Sequence, residues 1–454
     1  MKFLTHLLIL FMAATAPTLE AQTFTTLHNF IGGSRSAGPA GLILAGNTLY
    51  GTTSQGGASG NGAVFAVNTD GTGFTNIYSF TGGNNDGLRP ASLILTGNTL
   101  YGTSQGTSNS GAIFTLNTDG TGFTNIYNFT GGNDGANLQA GLVLVGDTLY
   151  GSAELGGAAG NGTVFSVNTD GTGFTNIYNF TALDDQTNGD GINPSPVILA
   201  GNTLFGTTSR GGVWGAGTVF ALNTNGANFT VLYNFMNGID GGTPENNLAL
   251  AGNTLFGAAH SGGNAGNGTL FALNTDGTGF TVLHAFTALN NSPINSDGSV
   301  PSGLILAGNA LFGTTDLGGA SGHGTVFAVN TNGTGFNVLH HFTPVGAGNT
   351  NGDGIFPISG VISSGNTLYG TATRGGSLSV GTLFALTVPV PALQILPSGN
   401  QSILFWPVSG INYVLKTTTN LASANWVTAS NAVPVTSVTV SNQLPAAFFQ
   451  LQLQ

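Results

Sequence analysis

Cysteine is absent from the 454 residues. That excludes a disulfide framework, a thiolate metal site and a thiol nucleophile. Basic residues are nearly absent as well, six against seventeen acidic ones, for a net charge of −11. So few cations cannot neutralise a run of phosphates, which argues against a nucleic-acid partner. No apolar run is long enough to span a bilayer as a helix, and no stretch carries the 3.6-residue period of an amphipathic helix. The chain also lacks a paired-histidine zinc motif and a serine in a nucleophile-elbow pattern. Its Gly-x-Gly strings open no helix, so they do not read as phosphate cradles.

What is present is glycine, 75 residues, alongside 30 Phe. The Phe content can build a core, so the glycine does not mean wholesale disorder. At the N-terminus Lys2 precedes the apolar run from Leu7 to Ala14, and small residues follow. This pattern predicts a secretory signal peptide over residues 1–21 with cleavage after Ala21, and hence a secreted or cell-surface protein.

The segment Leu-Ile-Leu-Ala-Gly-Asn-Thr-Leu-Tyr-Gly at Leu42–Gly51 recurs in near-identical form. Its Gly-Asn or Gly-Asp step falls at Gly46, Gly97, Gly146, Gly201, Gly252, Gly308 and Gly365. The intervals are 51, 49, 55, 51, 56 and 57 residues, the length of a propeller blade. Each unit reads as four short strands: A (Leu42–Ala45), B (Thr48–Thr53), C (Gly62–Asn68) and D (Phe74–Phe80). Gly46-Asn47 gives a two-residue hairpin between A and B. The period of two places Phe74, Tyr78 and Phe80 on one face of strand D. A glycine follows the aromatic of each strand B (Gly51 and its counterparts), and is expected to let a neighbouring blade approach the backbone.

A strand D copy, Phe24–Phe30, precedes every strand A, and the last A–B–C set ends at Leu386 with no D after it. The expected fold is therefore an all-β, seven-bladed β-propeller over residues 22–387, closed by the N-terminal strand pairing with Gly381–Leu386. Val388-Pro389-Val390-Pro391 reads as a stiff linker, placed at residues 388–392. Residues 393–454, with two of the three Trp, read as a small, all-β, sandwich-like module. The long motif Gly-Asn-Thr-Leu-Tyr-Gly-Thr-Thr…Gly-Gly…Gly-Thr-Val-Phe-Ala-Val-Asn-Thr-Asp-Gly-Thr-Gly-Phe-Thr resembles the GloVer (gloeo-verrucomicrobial) tandem repeat over roughly residues 23–386. The C-terminal module is similar to those ending other exported proteins of that bacterial group. The resemblance implies export and assigns no activity and no catalytic residue.

Candidate site residues come from the loops. His28, His284 and His340 occupy the strand D position held elsewhere by Tyr, and so are expected to fill a packing slot. An Asp-Gly step recurs before strand A at Asp86, Asp134, Asp190, Asp240, Asp297 and Asp353. In all but Asp134 a Pro follows three residues after the Gly. Such a step is ordinary turn chemistry. Six carboxylates on one rim would also make a negative field, and with backbone carbonyls and Asn side chains could take part in holding Ca²⁺. The strand order places D–A and B–C loops on a single rim, with Arg89, Arg210, Arg374 and Trp214 among them. Residues that depart from the repeat are Glu154, Asp184-Asp185, Glu245 and Asp316. The leading expectation is an exported, monomeric, non-enzymatic binding protein with a protein or polysaccharide partner. The alternative is an extracellular polysaccharide lyase or hydrolase using the same rim.

Overall fold

The computed structural model describes residues 22–388, apart from 33–36, 84–85, 107–109, 139–140, 186 and 291, together with six short strands after residue 393. The expected signal peptide and most of the linker lie outside the described residues, as does Arg35, the arginine of the first D–A loop.

Each repeat folds into one antiparallel sheet in the order A–B–C–D. In blade 1 the strands are Ala37–Ala45, Thr48–Gln55, Ala63–Asn68 and Thr75–Ser79. Gly46 turns between A and B at φ 56°, in the left-handed region. The C–D turn is tied by its aspartate: Asp70 accepts from the Thr72 N–H (2.9 Å) and hydroxyl (2.6 Å). Asp119, Asp170 and Asp276 do the same in their blades, and these fully exposed carboxyls sit below the usual range because of the Thr bonds.

Two local expectations are corrected. The glycine after the strand B aromatic makes room for its own blade, not for the neighbour. Gly51 pairs with Phe65 across the B–C ladder, and a Cβ there would lie 2.4 Å from the Phe65 ring and 2.8 Å from Leu42. The same Gly–Phe pair recurs in all seven blades, down to Gly370–Phe384. Strand D also does not present Phe74, Tyr78 and Phe80 on one face. The C–D register slips by one residue between Val64/Phe65, pairing Val64 with Tyr78 but Phe65 with Asn76. A β-bulge of this kind inverts the alternation beyond it. Phe74 therefore packs with Phe30 and Phe65 toward one neighbour, while Tyr78 and Phe80 pack with Phe114 and Phe123 toward the other.

That inversion links the ring. The strand D Tyr or His of each blade stacks on the Phe that opens strand D of the next. The pairs are His28–Phe74, Tyr78–Phe123, Tyr127–Phe174, Tyr178–Phe229, Tyr233–Phe280, His284–Phe336 and His340–Phe24, with centroids 3.6 to 4.0 Å apart. The three histidines fill the Tyr slot as expected. Closure is also as expected. Thr23–Asn29 is the outer strand of a sheet with Thr382–Thr387, Thr367–Ala372 and Val361–Ser364. Phe30 N–H donates to Gly381 O at 3.1 Å. The protein is thus an all-β, seven-bladed propeller.

The chain divides into two compact units, the propeller within Phe24–Val388 and a second unit from Pro389 onward. In the second, Gln394–Ser398, Gln401–Phe405 and Ser437–Ser441 form one three-stranded sheet. Val427–Thr428, Tyr413–Thr418 and Phe448–Leu453 form another. No helix among the described residues is long and apolar enough to cross a membrane.

Candidate functional site

The expected ring of solvent-facing carboxylates is corrected. Asp86, Asp190, Asp240, Asp297 and Asp353 are only 3 to 5% exposed, and Asp134 is half-buried. Each is consumed inside its own loop. Asp190 accepts from Thr181 N–H at 2.9 Å, the Thr181 hydroxyl at 2.5 Å and Tyr178 OH at 2.8 Å. In two blades histidine takes the place of Tyr, with His284 Nε2 on Asp297 and His340 Nε2 on Asp353, both at 2.9 Å. Burial pushes the Asp297 and Asp353 carboxyls up, but bonds from His and Thr outweigh it and hold both below the usual range. In the Tyr blades burial and the neighbouring carboxylate raise the phenol, to about 12 for Tyr127 and Tyr233. Among the described residues no three His, Asp or Glu side chains converge as a metal site.

The proline near the start of strand A, after the Asp-Gly step in five blades and at Pro39 in the first, joins adjacent blades. A Cβ on Gly62 would lie 2.6 Å from Pro90 Cδ of the next blade, and Gly62 has φ 102°. Equivalent contacts join Gly162–Pro194, Gly217–Pro244, Gly268–Pro301, Gly324–Pro357 and Gly381–Pro39. The residue before that proline is left-handed in every blade: Gly38, Arg89, Asn137 (followed by Leu138), Asn193, Thr243, Val300 and Phe356, with φ from 48° to 59°. Its N–H reaches back to the preceding blade, as in Arg89 N–H to Asn61 O at 2.7 Å and Thr243 N–H to Ala216 O at 2.9 Å. Thr and Val are strained at positive φ, so the surrounding structure imposes this conformation.

This left-handed residue lies at the entry to strand A, on the rim of the D–A and B–C loops. There a mouth of about 660 Å³ opens on the D–A and B–C rim, lined from all seven blades. Three repeat positions converge on it. One is the left-handed residue, present in the lining as Gly38, Arg89, Asn137 and Asn193. The second follows the proline, as Ala40, Ala91, Ser195, Glu245 and Ile358, with Asn246 one residue beyond Glu245. The third lies three residues beyond the strand B glycine and reads Ser54, Gln105, Glu154, Ser209, His260, Asp316 and Thr373 around the ring. Five of that last set line the mouth.

Those three positions change from blade to blade, whereas the Gly–Phe pair does not change at all. A column-by-column comparison of the seven repeats would have exposed this, since Glu154 and Asp316 occupy one column. Their shared place at the axis was not legible from sequence.

The mouth is wired. Gln105 Nε2 donates to Asn137 Oδ1 at 3.3 Å, and Asn137 Nδ2 donates to Glu154. His260 lies between Glu245 (Nδ1, 3.3 Å) and Asn246 (Nε2, 2.7 Å). The His260 bond holds the Glu245 carboxyl down against burial, with Arg210 adding to it. Asp316 moves the opposite way: burial pushes it up, outweighing the Ser302 hydroxyl bond at 2.6 Å, and the charge of Glu245 reinforces the rise. Arg89 is an exposed part of the lining, while Arg210 and Arg374 are exposed at the ends of strand B. No Arg among the described residues forms an ion pair. Trp214 is 62% exposed beside the exposed Val213 in a B–C loop, and so is not a core residue. Asp184-Asp185 lies away from the mouth lining, in an exposed D–A loop.

A family model described as "Gloeobacter/Verrucomicrobia repeat" matches residues 16–189 and 104–305. No curated protein matches the chain. Among solved structures it is similar to a chain of the nidogen/laminin complex, at 13% identity and TM-score 0.40, over 65% of this chain and 93% of that one. It is similar to TolB from Acinetobacter baumannii at 15% identity and TM-score 0.39, over 60% and 58%. It is also similar to the extracellular domain of a one-component system from B. thetaiotaomicron, at 13% and 0.48, over 95% and 48%.

Proposed function

Since the chain belongs to the Gloeobacter/Verrucomicrobia repeat family, we propose that its near-identical blades serve as a rigid frame for binding. In this reading the protein is exported, is non-enzymatic, and takes a protein or polysaccharide partner in the axial mouth. The observation that carries it is the convergence of the three variable repeat positions on one 660 Å³ cavity. Binding residues sit on variable loops held by a regular scaffold. Arg89 lies inside the mouth, and Arg210, Arg374 and Trp214 on the loops of the same rim extend the surface. Export rests on Lys2 and the apolar run that follows.

The test is affinity capture with mature protein, residues 22–454, from the extracellular fraction of the source culture. A variant carrying Gln105→Ala, Asn137→Ala, Glu154→Gln and Glu245→Gln is run alongside. A partner retained by the parent and lost from the variant supports the reading. Equal retention by both puts the binding surface elsewhere.

A second reading, a polysaccharide-active hydrolase or lyase, is favoured by one observation: Glu245 and Asp316 are driven in opposite directions beside His260. Carboxyl groups separated in this way suit acid and base roles. Release of new chain ends from polysaccharide, abolished by Asp316→Asn, would establish it.

A further inference from the structure

We infer that the ligand of the mouth is an uncharged saccharide chain, held through its hydroxyls by two carboxylate–amide pairs, Glu154 with Asn137 and Glu245 with Asn246. The inference rests on the binding reading above and specifies the ligand class.

The lining decides against other ligands. It contains Gln55, Gln105, Asn137, Asn193, Asn246 and Asn247, several Ser, and no aromatic residue. The centres of protein–protein interfaces are enriched in aromatics and Met and depleted of acidic groups. This mouth has the reverse composition. Its charges are Glu154 and Glu245 against Arg89 alone, on a chain of net charge −11. An acidic glycan would meet two carboxylates in the lining, so like-charge repulsion disfavours it. A polyol suits the donors and acceptors present. Carboxylates accept strong, short bonds from hydroxyls, and amides can donate and accept at once.

The two pairs are also preset. The chain Gln105→Asn137→Glu154 fixes one carboxylate, with Asn137 locked in its left-handed conformation. On the other side of the ring the Nε2 of His260 faces the Asn246 amide, and its Nδ1 faces Glu245. With the Asn246 nitrogen donating to Nε2, the ring proton sits on Nδ1 and is given to Glu245. One Glu245 oxygen and Asn246 Oδ1 then have no partner among the described residues. The Glu245 side chain is 47% exposed, within reach of a ligand. Side chains already held in place lose little freedom on binding, which favours affinity for a flexible, hydrated ligand. A cavity of 660 Å³ at the end of an axis accepts a few sugar units.

The test is a glycan array followed by calorimetry on mature protein. The probes are uncharged gluco-, manno-, xylo- and galacto-oligosaccharides, and uronate-containing oligosaccharides of equal length. At least one uncharged series is expected to bind and the uronates not. Glu245→Gln and Asn137→Ala should each weaken binding about tenfold or more, the scale of a lost charge-assisted bond. Asp170→Asn, on the opposite rim, should leave it unchanged, and it and Glu245→Gln should melt like the parent. Ala is strained at the positive φ of residue 137, so Asn137→Gly is run beside Asn137→Ala and should weaken binding equally. Failure of every uncharged probe, preference for uronates, or binding indifferent to the mouth variants would overturn the assignment. If the array is blank while a captured protein is lost from the mouth variants, the saccharide is wrong and the binding reading survives.

Discussion

The blade interior and the axial mouth are built from the same repeats and obey opposite rules. In the interior, Gly51 and Phe65 recur unchanged seven times because the ring of the Phe occupies the volume where a Cβ would be. At the mouth, the column that begins with Ser54 contains Gln105, Glu154, Ser209, His260, Asp316 and Thr373. A position that must close-pack tolerates one solution. A position facing a solvent-filled cavity tolerates many, and a ligand can then choose among them. The difference separates the residues that make the ring from those that make it specific.

The largest effect that would break this comparison comes from the closing strand. Deleting residues 22–30 removes Phe24, His28 and Phe30 from two blade interfaces and leaves Thr382–Thr387 as an open edge. The protein is expected to aggregate or to lose cooperative melting. A truncated chain that stays monomeric by light scattering and melts as the parent does would show that the ring does not depend on closure.

Next in size is Gly151→Ala. Its Cβ would lie 2.6 Å from the Phe165 ring, so overpacking of about 1–3 kcal/mol is expected in a denaturant titration. No loss would mean that the interior positions are less constrained than their identity implies.

Asp353→Asn follows. It weakens the bonds to His340 and Thr343, for an expected cost of about 1–3 kcal/mol. It also carries a pH signature. Asp297 and Asp353 have folded values below the ordinary 3.8. Their contribution is complete above that value and disappears as pH falls through the lower folded values. Melting temperature should therefore drop in the acid range below about pH 4, and less steeply in the Asp297→Asn, Asp353→Asn double variant. Identical acid profiles for parent and variant would remove these loops from the account of stability.

The smallest effect belongs to the mouth. Gln105→Ala and Ser54→Ala should shift stability by less than about 0.5 kcal/mol, while changing ligand capture. A large stability loss there would mean that the variable columns are structural after all.

Much of the ring was legible in the chain, because period and strand count are local properties of the sequence. The Gly-Asn steps at fixed intervals marked the blades, and the unpaired strand D at Phe24–Phe30 implied closure. The Tyr-for-His exchange at His284 and His340 marked a packing slot. The direction of strand D was not legible, because one bulged residue inverts every side chain after it. The Asp-Gly carboxylates were placed on the rim by turn chemistry that is correct as far as it goes. Nothing in the sequence says that Tyr78 or His284 would bend their loops inward and consume them.

The sequence alone therefore determined the blade, its hairpins, its number and the need for an N-terminal strand, since each follows from short-range pattern and counting. Only the tertiary structure decided which residues meet at the axis. Glu154, Glu245, His260 and Asp316 are spread over 163 positions of the chain. They come to one rim from blades 3, 5 and 6 because the ring sets equivalent strand ends side by side, each proline seated on the glycine of the blade before it. That geometry depends on contacts between blades, which no single repeat encodes.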